Sequence, residues 1–175
     1  MEANLRSRFP DAKLVVGGPI AWSFSQAGDI EKLFIFDHIF IGDGEARILG
    51  LLDDLAAKRP LDKVTQSSQR FEVLKARQLY RPMLGATIER YYGAVIEVSR
   101  GCPFLCEFCD IRVLPDNNKS HDLPIDLIIQ EIEHICSLGV STFLLACDNF
   151  ISDLKWAEEL VDRILEWRAK VSYKP

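Results

Sequence analysis

No apolar run in this 175-residue chain reaches the ~18 residues of a membrane-spanning helix, so no membrane span is expected. The opening stretch MEANLRSRFPDAK has no apolar core of the kind a signal peptide needs. A cytoplasmic location, where thiols stay reduced, is the expectation. Basic blocks are also missing. Lys and Arg total 21 against 26 Asp and Glu, for a net charge of −5, so nothing supports a phosphate-contacting nucleic-acid surface. There is no internal repeat and no low-complexity tract. Histidine is scarce, with three in all (His38, His121 and His134), and none stands at motif spacing from a second metal ligand. His38 reads as a packed or edge residue of a strand, His121 as a solvated loop residue and His134 as a helix-surface residue. The five cysteines are an odd number in a chain without secretory features, which argues against a disulfide framework. What remains is an ordinary globular composition, 48% hydrophobic and 27% charged, in one domain or two small ones.

Three of the cysteines lie in one short window, Ser99 to Ile111, reading SRGCPFLCEFCDI. Cys102, Cys106 and Cys109 have C-x3-C-x2-C spacing there, and Gly101 and Pro103 break regular structure. The thiols therefore sit on a loop that can bring them to one point. Ala94 to Val98 precedes it as a short β-rich run, a buried strand that would scaffold a metal. Three thiolates leave a metal one protein ligand short. Structural zinc takes four closed ligands. A 4Fe–4S cube held by three cysteines leaves one iron open to an outside ligand. Iron–sulfur, zinc and plain structural cysteine all stand as readings of the residues alone.

Phe108 lies directly before the last cysteine of the triad. With that aromatic, the loop resembles the radical S-adenosylmethionine (SAM) signature. The wider text, from Tyr91-Tyr92 through Val98-Ser99-Arg100-Gly101-Cys102-Pro103-Phe104 to Cys109-Asp110-Ile111, is similar to radical SAM proteins with an N-terminal cobalamin-binding domain. The resemblance implies a 4Fe–4S cluster on Cys102, Cys106 and Cys109. It implies SAM chelated at the open iron and cleaved reductively to a 5′-deoxyadenosyl radical, with electrons from a donor such as flavodoxin or ferredoxin. It also sets Phe108 against the adenine; a core aromatic is the other reading. It assigns no catalytic side chain, names no small-molecule substrate and leaves open oxidoreductase or methyltransferase chemistry. A non-catalytic iron–sulfur electron-transfer or zinc-binding module is the alternative. Such a module would want a fourth cysteine, and Cys147 is the candidate near the site.

Upstream, Lys13 to Val16 reads as a strand followed by Gly17-Gly18-Pro19, and His38 to Ile41 as a strand followed by Gly42-Asp43-Gly44-Glu45. A helix with Ile48, Leu51, Leu52 and Leu55 on one face comes next. Two strands that each end in a glycine loop describe the ligand-binding rim of an open parallel α/β sheet. The pair resembles the last two strands of a cobalamin-binding domain, which implies Gly17, Gly18, Gly42 and Gly44 along the cobalamin tail. That family's earlier D-x-H-x-x-G and S-x-L motifs do not occur ahead of these two strands.

Residues 58–90, with Pro60, Pro82, Ser67-Ser68 and many charges, read as a linker, with a short helix conceivable over Phe71 to Leu79. Beyond the cysteines, Val113 to His121 is a polar crossover. Pro124 opens a helix striped by Ile125, Ile128, Ile132 and Ile135 and stopped at Gly139. Thr142 to Ala146 is a second buried strand. Ser152 caps a last helix facing Leu154, Ala157, Val161, Ile164 and Leu165. Cys136 is small core filler. Arg100 either pairs structurally or acts beside the cysteine loop. At the end of the second strand stands Cys147-Asp148-Asn149-Phe150, where the family has D-D-N-F. The resemblance gives Asp148 and Asn149 to the SAM amino group; an Asx turn capping the last helix is the rival.

The expected fold class is thus α/β. Residues 1–57 are the C-terminal part of a Rossmann-like cobalamin-binding domain, 58–90 a linker, and 91–175 the first βα units of a radical SAM partial (β/α)6 barrel. A closed eight-unit barrel takes about 250 residues, and Val171 to Pro175 looks like the opening of a third strand. The expectation is an internal fragment of a longer enzyme that does not turn over alone.

Overall fold

The computed structural model of the chain describes residues 2–67, 72, 81–90, 93–109, 111, 114 and 117–171. The expected helix at Phe71 to Leu79, Tyr91-Tyr92, Asp110 and the strand opening after Val171 lie, wholly or in the main, outside them. The chain divides into two compact units, Met1–Phe71 and Glu72–Pro175.

The first unit is a three-stranded parallel sheet in the order β1 (Val15–Val16), β2 (His38–Ile41), β3 (Val64–Gln66). Val15 pairs with His38 and Ile39 with Val64. The helices are α1 (Glu2–Arg8), α2 (Gly18–Gln26) and α3 (Ile48–Ala56). All four residues of β2 are buried, as a central strand covered on both faces requires. Its alternating side chains divide the work. Ile39 and Ile41 join Ala21 and Leu33 in a core, while His38 and Phe40 border a cavity with α3 residues Ile48 and Leu51. Helix α2 starts at once after Gly17, with Pro19 in its first turn, where its fixed φ suits a helix. Asp37 ties the entry of β2 to β1, because its carboxylate accepts the Leu14 N–H at 2.9 Å and pairs with Arg6 and Lys13. The Leu14 hydrogen bond holds the Asp37 carboxyl below its ordinary value, helped by Arg6 and Lys13 and opposed by burial.

The apolar stripe of α3 forms as its spacing implies, but no residue of the helix is fully buried; Ile48 and Leu52 stay about half exposed. Strand β3 falls within the stretch expected to be a linker. At three residues it is too short to show a period.

The second unit has α4 (Arg81–Thr87), β4 (Ala94–Glu97), β5 (Ser99–Arg100), β6 (His121–Asp122), α5 (Ile125–Ser137), β7 (Phe143–Ala146) and α6 (Leu154–Lys170). Strands β4 and β7 are parallel neighbours, Ala94 opposite Phe143 through Glu97 opposite Ala146. Ile96 and Val98 pack with Ile128, Ile132 and Ile135 of α5 and Leu160 and Trp167 of α6 in one core. Both strands were expected to be buried. Instead β4 alternates, with Ala94 and Ile96 inside and Val95 and Glu97 exposed. Val95 and its partner Leu144 are both more than half exposed, so this sheet has one covered face. No closed barrel is present among the described residues; the architecture is mixed α/β with small parallel sheets.

Helix α5 follows Pro124 and ends before Gly139, whose φ of +85° is left-handed. Two expectations for α6 need correction. Its N-cap is Asp153, which accepts the Trp156 N–H at 3.0 Å, and not Ser152. Of its expected face Ala157 is buried and Ile164 packs on the core, but the face is completed by Leu160 and Trp167, while Leu154, Val161 and Leu165 are exposed. His121 is also not a loop residue, since it pairs with Arg100 in the antiparallel β5–β6 ladder. His134 is half-buried, with its Nε2 wholly shielded.

Candidate functional site

Because β4 and β7 run parallel in register, with Glu97 beside Ala146, the segments leaving their carboxyl ends emerge side by side. One is the cysteine loop; the other is Cys147-Asp148-Asn149. In an α/β unit this rim is where ligands bind.

The stem of the cysteine loop is held from several sides. The β5–β6 ladder sets Ser99 against Asp122 and Arg100 against His121. Arg100 grips Glu97 with two bonds of 2.8 and 3.0 Å, which is the structural pairing of the two roles considered for it. Gly101 follows at φ +90°, and a Cβ there would stand 2.2 Å from the Lys119 carbonyl oxygen. Only glycine satisfies both the backbone sign and that approach. The next residue, Cys102, donates its N–H to the Asn117 carbonyl at 2.9 Å.

The β7 segment reaches the same stem. The Gly101 N–H donates to Asp148 Oδ2 at 2.6 Å. Asn149 Nδ2 lies 3.6 Å from Cys102 Sγ as a hydrogen-bond donor, and its Oδ1 accepts the Ile151 N–H at 3.0 Å. The Asx turn considered from sequence therefore exists, but Asn149 makes it, and Asp153 rather than Asp148 caps α6. Asp148 is a loop-to-loop tie. Neither the Asn149–Cys102 contact nor the tight passage at Gly101 was foreseen. The parallel order of the two strands was the signal that their end loops would meet.

Further along, the Cys109 N–H bonds the Cys106 carbonyl at 3.2 Å. Cys102 and Cys109 are half-buried, Cys106 is exposed, and all five cysteines are free thiols. Among the described residues no three His, Cys, Asp or Glu side chains are gathered as a metal-holding group. The donor chemistry nonetheless suits an iron–sulfur cluster. Three reduced thiols come from one loop, and the first receives an amide hydrogen bond of the kind that surrounds cluster sulfurs. Phe108 is 91% exposed, which excludes the core-aromatic reading. Cys136 and Cys147 instead pack against the core. Burial raises both thiol pKa values, and Asp148 and Asp122 push Cys147 further.

Of the four glycines given to a cobalamin tail, Gly17, Gly18 and Gly44 border the cavity of about 280 Å³ in the first unit, together with His38. Gly42 does not line it. At φ +119°, a Cβ there would lie 2.5 Å from the Ser67 carbonyl oxygen, so its place reflects close backbone packing. His38 is 5% exposed, and its Nδ1 lies 2.6 Å from the Asp62 carbonyl oxygen, in keeping with a packed histidine.

Comparison with known proteins gives two curated relatives. One is the hopanoid C-2 methylase of Rhodopseudomonas palustris, 26% identical over 170 residues that cover 94% of this chain and 30% of that protein. The other is an uncharacterized methyltransferase of Synechocystis, 27% identical over 186 positions that cover 99% of this chain and 31% of that protein. The chain thus spans about a third of the length of each, and both carry names of methyl-transferring enzymes. No family model matches the chain, and no solved structure matches it. No helix among the described residues is long and apolar enough to cross a membrane.

Proposed function

We propose that this chain carries the cluster loop and the adjoining SAM-binding rim of a methyl-transferring radical SAM enzyme. The observation that carries the reading is the junction of the two rim loops, Gly101 N–H to Asp148 and Asn149 to Cys102 Sγ. It fixes the start of a three-thiol loop beside an acid at the ends of parallel strands. The methyl-transfer names of the two relatives support the reaction class.

Cys102, Cys106 and Cys109 would hold a 4Fe–4S cluster. A bound cluster with one iron free of cysteine supplies single electrons for reductive cleavage of SAM, drawn from a small donor such as flavodoxin or ferredoxin. Asp148 uses Oδ2 on Gly101, which leaves Oδ1 to accept from the SAM ammonium group. Exposed Phe108 offers a flat apolar face to the adenine. Gly17, Gly18 and Gly44 are the residues that would border a cobalamin tail. An electron-transfer module would want a fourth thiolate near the loop. Cys147, the residue placed for it, is packed against the core with its thiol pKa raised, which favours the enzymatic reading.

The test is the electron paramagnetic resonance spectrum of the reconstituted, reduced chain with and without SAM. SAM should change the spectrum. Asp148→Asn keeps an oxygen for the Gly101 N–H but removes the charge, and should weaken SAM roughly tenfold, the lower end for a charge-assisted hydrogen bond. A spectrum indifferent to SAM would count against the proposal.

A further inference from the structure

The carboxamide of Asn149 is the one side-chain group that hydrogen-bonds a thiol of the cysteine triad among the described contacts. Its orientation is set independently. The Ile151 backbone N–H can only donate, so the end of the amide that accepts it at 3.0 Å must be the oxygen. The NH2 end is thereby turned to Cys102 Sγ, 3.6 Å away. Swapping the two ends would face a donor with a donor at Ile151 and leave the sulfur without its N–H. Asn149 and Cys102 are both half-buried, and their contact is partly shielded while the Ile151 bond faces solvent. The Asp148–Gly101 bond one residue upstream keeps the two segments in register. The sulfur is therefore faced by an amide whose other end is anchored in a turn.

We infer that Asn149 is a positioning residue for Cys102, whose N–H···S bond sets the reduction potential of the metal centre this sulfur ligates. The inference rests on the cluster assignment proposed above, and gives Asn149 a partner other than the SAM amino group. A hydrogen bond to a ligating sulfur withdraws negative charge from it. Reduction adds an electron to the centre, so a centre with that bond accepts the electron more readily. Loss of the donor should make the potential more negative. An acceptor in its place should do so further, because a carboxylate oxygen would face the sulfur.

The experiment uses the full chain in two states. In the metal-free chain, the side-chain amide protons of Asn149 are followed by nuclear magnetic resonance, with Cys102→Ala as the reference. One of the two protons should be shifted and exchange slowly, and both features should vanish in Cys102→Ala. In the chain reconstituted with ferrous iron and sulfide, the midpoint potential is measured for wild type, Asn149→Ala and Asn149→Asp. Asn149→Asp retains the acceptor for Ile151 and hence the turn. Iron content should stay equal, and the potential should fall in both variants, most in Asn149→Asp. Equal potentials at equal iron content would overturn the inference and leave the cluster assignment standing. Failure of the wild-type chain to take up iron would sink the cluster assignment and this inference with it, and the amide protons would still decide whether the bond exists. Amide protons insensitive to Cys102→Ala would overturn the inference by themselves.

Discussion

Gly101→Ala is the substitution for which the structure gives the most definite cost. Two penalties add at this position. An alanine at φ +90° is strained, by about 1–2 kcal/mol for the left-handed region. Its Cβ would also sit 2.2 Å from the Lys119 carbonyl oxygen, a backbone atom, and a Cβ has no rotamer by which to avoid it, so one strand of the passage must move. Movement breaks the Cys102–Asn117 bond, worth about 0.5–1.5 kcal/mol, or the Gly101–Asp148 bond to a carboxylate, worth about 1.5–3 kcal/mol. Gly139→Ala supplies the control. Its φ is +85°, but nothing lies within 4 Å of the added Cβ, so it carries the strain without the collision. Because the chain has two units, one transition cannot be assumed. Trp22 belongs to the first unit and Trp156 and Trp167 to the second, so a Trp22→Phe background makes urea unfolding by tryptophan fluorescence report the second. Gly101→Ala should cost about 0.5–3 kcal/mol more than Gly139→Ala. Equal costs would refute the close approach at Gly101.

Leu160→Ala should destabilise the second unit by about 2–5 kcal/mol, while Val161→Ala, at an exposed position of α6, should stay within about 0.5 kcal/mol; comparable losses in urea unfolding would contradict the buried face assigned to the helix. The Asp37 carboxyl is lowered on folding, first by the Leu14 N–H, so its contribution is present above the unfolded value and lost as pH falls through the folded one. Asp37→Asn should therefore destabilise the first unit at neutral pH and flatten its acid limb below about pH 4, and an unchanged limb would argue against the Leu14 contact. Iodoacetamide at pH 8 should label exposed Cys106 well before Cys136 and Cys147, whose thiols burial keeps protonated; early labelling of Cys147 would mean that its packing is wrong.

Much of the second unit is legible from sequence because its signals are local. Pro124 and Gly139 bracket α5, and Ile128, Ile132 and Ile135 repeat at a helical period. The misreadings have physical causes. In α6, apolar residues lie on two adjoining faces, and sequence cannot say which one meets a core; Leu160 and Trp167 do, Val161 and Leu165 do not. Val95 looks like a buried strand residue because the run around it is apolar, yet the core covers one face of β4. Helix α2 went unseen because GPIAWSFSQ carries Gly, Pro and two serines, which read as turn signals. At the site, the cysteine spacing and Asp148-Asn149 were visible, but their junction is non-local. It needs the register of β4 and β7, and only then do Gly101 and Asp148, or Cys102 and Asn149, become neighbours.

The central claim is that Cys102, Cys106 and Cys109 hold an iron–sulfur cluster with one iron left free, and metal analysis after anaerobic reconstitution tests it most directly. The account predicts about four irons per chain, with a broad absorption near ~400 nm, and loss of both when any one of the three cysteines becomes alanine but not when Cys136 or Cys147 does. Stoichiometric zinc without iron uptake, or a cluster that depends on Cys147, would contradict it.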